Sequence, residues 1–376
     1  MKKRLIIISL ALVLMACSTG QKAYERGDYF GAVFTAVDRL RSNPDHGRSA
    51  SVLESSYPMA LKWAQDEIDL TLSSNEYGKW DKTLGIMQRV NDLANAIRQS
   101  PAAIRIIPNP KIYTSELTSV REKAAEENYQ NGLFLLGQNN REAAKQAFYA
   151  FTKSNQLIAG YKQSISKMQE AKAMGTTYVV VEPFPVHAPL FQLSADFFYS
   201  QVFEYVNNRF PAQGFVNFFS PEELQKSGIG NPDMILRLEF YDFVVGNTLR
   251  TESEKEVSRT VKVTTKDSLR TPTITYRAKL KIFTEKVASG GVVDLKIIDY
   301  PTGKLMVNDR IPGEFIWMNQ FALFVGDEEA LSDEEYRLTK QKSLPPPPPQ
   351  ALFVEFTKPI YSRLTGRISN FFAQYN

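Results

Sequence analysis

Side chains that could carry catalysis are few in this chain of 376 residues. It contains two histidines, His46 and His187, and one cysteine, Cys17. His187 stands in the proline-bounded stretch "PFPVHAPL" and His46 follows a predicted helical hairpin, so we expect a loop residue and an exposed residue. The glycine-rich phosphate loop, the dinucleotide fingerprint and the HExxH metal motif are absent from the sequence. We therefore expect no enzymatic activity, no metal site and no cofactor.

Two segments of biased composition offer other chemistry. The acidic run "GDEEALSDEEYR", 326–337, could bind a cation, but calcium loops alternate their ligands around a central glycine. Ser332 with Glu335 instead fits a capping box, which predicts a solvated helix start. The five prolines at 345–349 must form extended polyproline II. This segment fits a stiff spacer before the last helix, and docking of a partner is the alternative.

The single cysteine stands where a leader would end. A cationic head, Met1 to Arg4, precedes an apolar run from Leu5 to Met15. That run is too short for a bilayer, which needs ~20 residues, and the layout is that of a signal peptide. Leu14-Met15-Ala16-Cys17 resembles the lipobox of bacterial lipoproteins. The resemblance implies cleavage before Cys17 and fatty acyl chains, such as palmitate, on Cys17, and a plain signal peptide is the alternative.

The residues after Cys17 bear on location. Two or three acyl chains anchor a protein stably, whereas a single chain is marginal. In the lipoprotein family an aspartate at the next position implies retention at the inner membrane, so Ser18 favours the outer membrane. No acidic export signal follows in "STGQKAY", and no later segment has ~18 uninterrupted apolar residues. We expect an outer-membrane, lipid-anchored protein that faces the periplasm.

Composition limits the class of partner. The formal net charge of +4 includes the three cations of the leader, so the mature chain is nearly neutral and nucleic acid is not an expected partner. The length is enough for two domains, and 43% hydrophobic residues can supply their cores. We predict an α+β protein with a signal peptide at 1–16, a helical domain at 17–175 and an α/β domain at 176–376.

The helical domain shows hairpin patterns. At 23–46, Gly27-Asp28 breaks one helix and opens the next, and Pro44 ends it. Small and apolar residues recur there at helical spacing, namely Ala32, Val33, Ala36, Val37 and Leu40. The segment is similar to a tetratricopeptide repeat, and that similarity implies a concave protein-binding face. A second match lies at 128–156 (Gly132, Ala144, Phe148), a weaker one lies at 77–97, and a loop is expected at 99–110. An ordinary helical bundle is the alternative.

The pattern changes after Gly175. A buried strand is predicted from Thr176 to Glu182, a helix at 193–210, and a strand at 214–219. Ser220 with Glu223 fits a capping box that starts another helix. A mostly antiparallel β-meander then follows, with predicted strands at 233–245, 254–263, 273–283, 292–299 and 305–311. Turns are predicted at Gly246-Asn247, Gly290-Gly291 and "YPTGK", and a closing helix at 358–372.

This order of elements supports a second resemblance. "YVVVEPF", the helix–strand pair at 193–219 and "VVDLKIIDYPTGKLM" resemble the periplasmic domain of the curli-secretion channel lipoprotein and the amino-terminal domain of TolB-like proteins. The resemblance covers the first part of the α/β domain. It implies a role in an envelope assembly or secretion machine.

The strand at 273–283 suggests a contact surface. Its alternation places Ile274, Tyr276, Ala278, Leu280 and Ile282 on one face and Arg277, Lys279 and Lys281 on the other. We predict that these three cations contact an acidic partner, and a solvated face is the alternative. The functional prediction is a non-enzymatic scaffold or partner-binding lipoprotein, anchored through Cys17, that binds other envelope proteins and could form an oligomer. The alternative is a pore-forming secretion lipoprotein of the curli-channel type, although Arg259 between the valines of the neighbouring strand disfavours insertion.

Overall fold

The computed structural model describes residues 20–183, 189–263 and 273–376. Both helices and a sheet are present, so the mixed α+β composition is confirmed. The chain divides into two compact units, with the division between Gly175 and Thr176. None of the helices in the described ranges is both long enough and apolar enough to cross a membrane.

The first unit is helical throughout its described part. Its helices are α1 Gln21–Glu25, α2 Tyr29–Ser42, α3 Gly47–Ser73, α4 Lys79–Arg98, α5 Pro101–Ile106, α6 Ser115–Leu136, α7 Arg141–Leu157 and α8 Ser164–Gly175. The helix–turn–helix predicted at 23–46 is confirmed as α1 and α2. Gly27 takes a positive φ of 79° between them, and the Asp28 side chain caps α2 by accepting from the Gly31 amide at 3.0 Å.

Burial on α2 explains the small residues in its pattern. The five positions at helical spacing are buried, namely Ala32, Val33, Ala36, Val37 and Leu40. A comparable close approach joins α6 to α7, where Gly132 faces the ring of Phe151. A Cβ atom at Gly132 would lie 2.7 Å from that ring, so only glycine fits without a shift. Glycine therefore sets the spacing of this helix pair.

Three parts of the helical unit differ from the sequence prediction. The weaker repeat match at 77–97 is the single helix α4 and not a hairpin. The loop expected at 99–110 contains the short helix α5, because Ser100 caps it through the Ala103 amide and Pro101 suits its first turn. The long helix α3 was not predicted. It contains Pro58, which is exposed on the helix surface and which reads as a helix breaker in sequence.

The second unit combines a five-stranded sheet with helices. Its elements are β1 Thr177–Val181, α9 Gln192–Arg209, β2 Val216–Phe219, α10 Pro221–Ser227, β3 Met234–Lys262, β4 Thr273–Asp299, β5 Leu305–Gly326, α11 Asp333–Lys340 and α12 Pro349–Phe372. In the described residues the strand order is β2-β1-β3-β4-β5. β1 pairs in parallel with β2 and β3, and the β3–β4 and β4–β5 pairs are antiparallel.

Helices α9 and α12 cover one face of this sheet. The core between them contains Phe198 and Val202 from α9 and Phe353, Phe356 and Ile360 from α12. The capping box of α10 is confirmed, with Ser220 and Glu223 bonded reciprocally. The turn at "YPTGK" is also confirmed, because Asp299 and Lys304 close it and Gly303 has a φ of 68°.

The turns predicted at Gly246-Asn247 and Gly290-Gly291 are wrong. β3 continues through Gly246 with a register shift, and the glycine takes a φ of 83° at that bulge. Gly291 lies inside β4, directly opposite Gly313 on β5. A Cβ on Gly313 would lie 2.5 Å from both Ile360 Cγ1 and the Phe356 carbonyl oxygen. These two glycines therefore mark the place where α12 lies against the sheet, not a turn.

The three long strands form a ribbon that extends past helix α12. The sequence predicted β5 only to residue 311, whereas it continues to Gly326. Helix α12 likewise starts at Pro349, earlier than the predicted 358, and passes through Pro359. Helix α11 packs on the opposite face of the ribbon, against Ala278 and Leu280. The connection between the helices at 341–348 must therefore pass around the sheet edge.

Asn319 on β5 binds this connection. Its side-chain amide donates to the Lys342 carbonyl at 3.3 Å, and its oxygen accepts from the Leu344 amide at 3.1 Å. Covering an edge strand with a loop blocks pairing with other chains. Proline cannot donate a main-chain hydrogen bond, so the proline run that follows does not itself become another strand.

Candidate partner-binding surfaces

The predicted lipidation site, Cys17, lies outside the described residues, and so does His187. His46 is described and is half-buried, contrary to the exposed position expected from the sequence. It caps α3, because its Nδ1 accepts from the Ser49 amide at 3.2 Å. An imidazole engaged in this way has a structural role at a helix start.

The predicted contact residues Arg277, Lys279 and Lys281 lie on β4, in the part of the ribbon beyond α12. The predicted alternation agrees with the burial, because Ala278 and Leu280 between them are buried against α11. The three cations therefore lie on the face of the ribbon opposite α11. We name this surface the ribbon face. It is defined by the even-numbered residues of β3 from 252 to 258, the odd-numbered residues of β4 from 277 to 283 and the odd-numbered residues of β5 from 321 to 325.

Charges on the ribbon face are arranged by strand. Lys279 Nζ lies 3.8 Å from Glu256 of β3, and Lys281 Nζ lies 2.7 Å from Glu252. The hydrogen bond to Glu252 raises the pKa of Lys281. Exposed pairs of this kind contribute little stability, so they remain open to exchange with a partner. They also mean that the basic row is balanced by an acidic row on its β3 side.

The sequence reasoning missed an apolar row on the other side of the cations. Val325 and Leu323 of β5 lie opposite Lys279 and Lys281, and their side chains are 79% and 60% exposed. The ring of Phe321 stacks on Phe283 at 4.8 Å, next in the same row. Alternation in "FIWMNQFALFV" is masked by apolar residues on both faces, so this stretch carries no clear period-2 signal.

The acidic run at 326–337 lies on the side of the ribbon opposite the ribbon face. Asp327 exchanges hydrogen bonds with Arg277, because its carboxylate accepts from the Arg277 amide at 3.0 Å and its own amide donates to the Arg277 carbonyl at 2.9 Å. The predicted capping box of Ser332 and Glu335 is confirmed. A hydrogen bond from Lys255 lowers the pKa of Glu335. In the described part of the chain, no group of three acidic, histidine or cysteine side chains is arranged to hold a metal ion.

The helical unit has its own charged cluster at the end of α7. Glu126 on α6 accepts hydrogen bonds from Lys162, from the Tyr161 hydroxyl at 2.7 Å and from Gln130 at 2.8 Å. These bonds lower the pKa of Glu126 to about 2, with Lys162 the largest cause. The same contact with Glu126 raises the pKa of Tyr161 to about 12. The cluster joins α6 to the segment before α8.

Comparisons with known proteins give little further guidance. No protein-family model matches the chain, and no curated protein matches it. One solved structure that is similar is a homologue of a neuraminyllactose-binding hemagglutinin from Helicobacter pylori, with 11% sequence identity and a TM-score of 0.23. The match covers 53% of this chain and 90% of that chain. A similarity at this TM-score carries no argument about function.

Proposed function

We propose that this chain is a non-enzymatic lipoprotein of the outer membrane that faces the periplasm and holds other envelope proteins together. Anchoring through acylated Cys17 would confine it to a surface, where even weak contacts gain from a high effective concentration. Its helical hairpins would act as tetratricopeptide-like partner sites, and the α/β unit would supply a second contact surface.

The observation that carries the proposal is the ribbon face. It extends beyond the helix layer and sets a row of exposed apolar side chains beside Arg277, Lys279 and Lys281. Exposed apolar side chains grouped with charges are typical of interaction sites. A partner with acidic residues around an apolar centre would bind Lys279 and Lys281 through its own carboxylates, in place of Glu256 and Glu252. Its apolar centre would cover Leu323 and Val325.

The test reverses the three cations together. Envelope proteins crosslinked to the Arg277→Glu, Lys279→Glu, Lys281→Glu variant would be compared with those captured by the parent chain. We expect reduced recovery of the same partners with an unchanged circular dichroism spectrum. Val325→Ser with Leu323→Ser tests the apolar row separately and should also reduce recovery. Equal recovery by all variants would remove the ribbon face from the proposal.

The alternative is a pore-forming secretion lipoprotein. The length of β3, β4 and β5 favours it, as do Leu249, Ile316 and Met318, which are exposed on the ribbon side opposite the ribbon face. The distribution of charge disfavours a pore, because β3 carries Glu254 and Lys255 on opposite sides of the ribbon. A charged side chain on a lipid-facing strand costs up to ~2–4 kcal/mol at mid-bilayer. Ring-shaped oligomers of this chain in detergent would favour the pore.

A further inference from the structure

A groove lies between the outer edge of β5 and helix α12. It has a volume of about 520 Å³. One wall is β5 from Asp309 to Pro312, and the other is the stretch of α12 from Ser362 to Asn370. This groove is separate from the ribbon face, because it adjoins the opposite end of β5.

Positive charge dominates the groove. Arg310, Arg363 and Arg367 line it together with one carboxylate, that of Asp309. Arg363 Nη1 donates to the Pro312 carbonyl at 3.1 Å, and Arg367 Nε lies 3.3 Å from Asp309 Oδ2. Each guanidinium carries five N–H donors in a planar fork that matches a carboxylate. One contact each leaves Arg363 and Arg367 with donors for a ligand in the groove.

Arg310 directs its side chain to the sheet face opposite α12, because successive side chains on a strand alternate between the two faces. Its Nε lies 3.4 Å from Oδ1 of Asp294, a carboxylate that is only 6% exposed. Its guanidinium also lies over the Tyr241 ring at 4.2 Å. We therefore assign ligand binding to Arg363 and Arg367 alone.

The β5 wall presents main-chain groups as well as charge. β5 is the last strand of the sheet and pairs only with β4 among the described strands. The Pro312 carbonyl is taken by the Arg363 side chain, so the main chain at this residue points away from β4. Main-chain groups alternate in direction along a strand. Arg310 therefore directs its amide and carbonyl groups into the groove. Those of Asn308 point outward from the same edge, just beyond the groove, so an added strand could bind to both residues.

Gly366 keeps the groove open on the helix side. It lies inside α12, where glycine costs ~1 kcal/mol relative to alanine. A Cβ at this position would meet no atom within 4 Å. Close packing within the chain therefore does not require glycine here. Its effect is to widen the groove between Arg363 and Arg367.

We propose that this groove binds an extended acidic peptide segment of a partner protein, which adds to the edge of β5 at Asn308 and Arg310. Main-chain hydrogen bonds would hold the strand, and its carboxylates would bind Arg363 and Arg367. The mode is strand addition, in which the backbone provides affinity and the side chains provide specificity. The inference rests on the proposed partner-binding function and gives it a second site, with a defined partner chemistry.

The test measures binding of a fluorescent peptide of alternating valine and glutamate to the full chain in its lipid-free Cys17→Ser form. We expect saturable binding that weakens with salt, and no binding of the matching valine–lysine peptide. Arg363→Glu with Arg367→Glu should weaken binding at least about tenfold, since bonds to charged groups are the strong ones. The ribbon-face control, Lys279→Glu with Lys281→Glu, makes the same charge change elsewhere on the unit. Because the ribbon face is itself proposed to bind acidic partners, a loss of affinity in this control alone would place the peptide there instead.

Two further variants separate charge from shape and mode. Gly366→Phe should fill the groove and weaken binding, whereas Gly366→Ala should leave the fold intact. A peptide methylated on alternate amides keeps its carboxylates but cannot form the strand, so equal binding of that peptide would overturn strand addition. If the double glutamate variant does not fold, Arg363→Gln with Arg367→Gln replaces it.

Two results would overturn the proposal, and neither concerns the wider function. One is a peptide affinity unchanged by the arginine variants or lowered only by the ribbon-face control. The other is arginine-dependent binding of phosphatidylglycerol vesicles without binding of the peptide, which would assign the groove to an anionic lipid surface. Partner capture by the parent chain tests the proposed function independently of both.

Discussion

Replacing Gly313 by alanine tests the close contact between helix α12 and the sheet of the second unit. The new Cβ would lie 2.5 Å from the Phe356 carbonyl oxygen, which is backbone, and 2.5 Å from Ile360 Cγ1. A side chain could rotate away, but a backbone atom moves only with its helix. We therefore expect α12 to shift outward from β4 and β5.

The size of the effect follows from what α12 buries. Phe353, Phe356, Ile360, Leu364, Ile368 and Phe372 all lie in the core beneath it. Overpacking of such a core costs ~1–3 kcal/mol, and the loss of unfolded-state freedom when glycine becomes alanine returns ~0.4–1 kcal/mol. The expected net destabilisation is ~1–2 kcal/mol. For a unit of this size, that lowers the melting temperature by ~2–8 °C.

Urea unfolding monitored through Trp317 measures this change. Trp317 lies on β5, and the other two tryptophans of the chain, Trp63 and Trp80, lie in the helical unit and can be replaced by phenylalanine. The matched control is Gly366→Ala on α12, the helix that Gly313 contacts. Its new Cβ meets no atom and should stabilise the chain by ~0.5–1 kcal/mol. A Gly313→Ala chain as stable as the parent would refute the close approach of α12 to the sheet.

Three other perturbations have defined outcomes. Gly132→Ala should destabilise the helical unit by ~1–3 kcal/mol, because its Cβ would lie 2.7 Å from the buried Phe151 ring. Gly85→Ala is the control, since its Cβ meets no atom and it should not destabilise the unit. Thermal unfolding followed by circular dichroism compares the two variants. Glu126 has a lowered pKa in the folded state, so the stability it contributes is present above its ordinary value of 4.5 and is lost as the pH falls toward 2. Stability measured against pH should lose part of this acid dependence in Glu126→Gln, and an unchanged profile would contradict the assignment. Asn319→Ala should release the connection at 341–348 from β5 and speed protease cleavage there, whereas Asn308→Ala should not.

Local patterns in the sequence predicted much of the secondary structure. The capping boxes at Ser220 and Ser332 and the spacing on α2 fix structure through neighbours a few residues away, and all three are confirmed. The alternation around Ala278 and Leu280 was also predicted correctly, because one face of that strand is buried. Such signals depend on the chain near the residue and can be recognised without a structure.

The errors concern residues whose role depends on distant parts of the chain. Gly291 resembles a turn residue in sequence, and only the approach of Phe243 on β3 and of Phe356 on α12 shows that it provides space. The apolar row of Leu323 and Val325 lies in a stretch with apolar residues on both faces, which conceals the strand period. The groove at Arg363 joins a strand and a helix ~50 residues apart, so no local spacing could indicate it.

The central claim is that the chain is anchored at the outer membrane through Cys17 and there holds other envelope proteins. The most direct measurement is capture from crosslinked cell envelopes, comparing the parent chain with Cys17→Ser after membrane fractionation. We expect the parent to fractionate with the outer membrane and to be crosslinked to a defined set of envelope proteins. We expect Cys17→Ser to lose both properties while remaining folded. Outer-membrane fractionation of Cys17→Ser, or a parent chain crosslinked only to copies of itself, would contradict it.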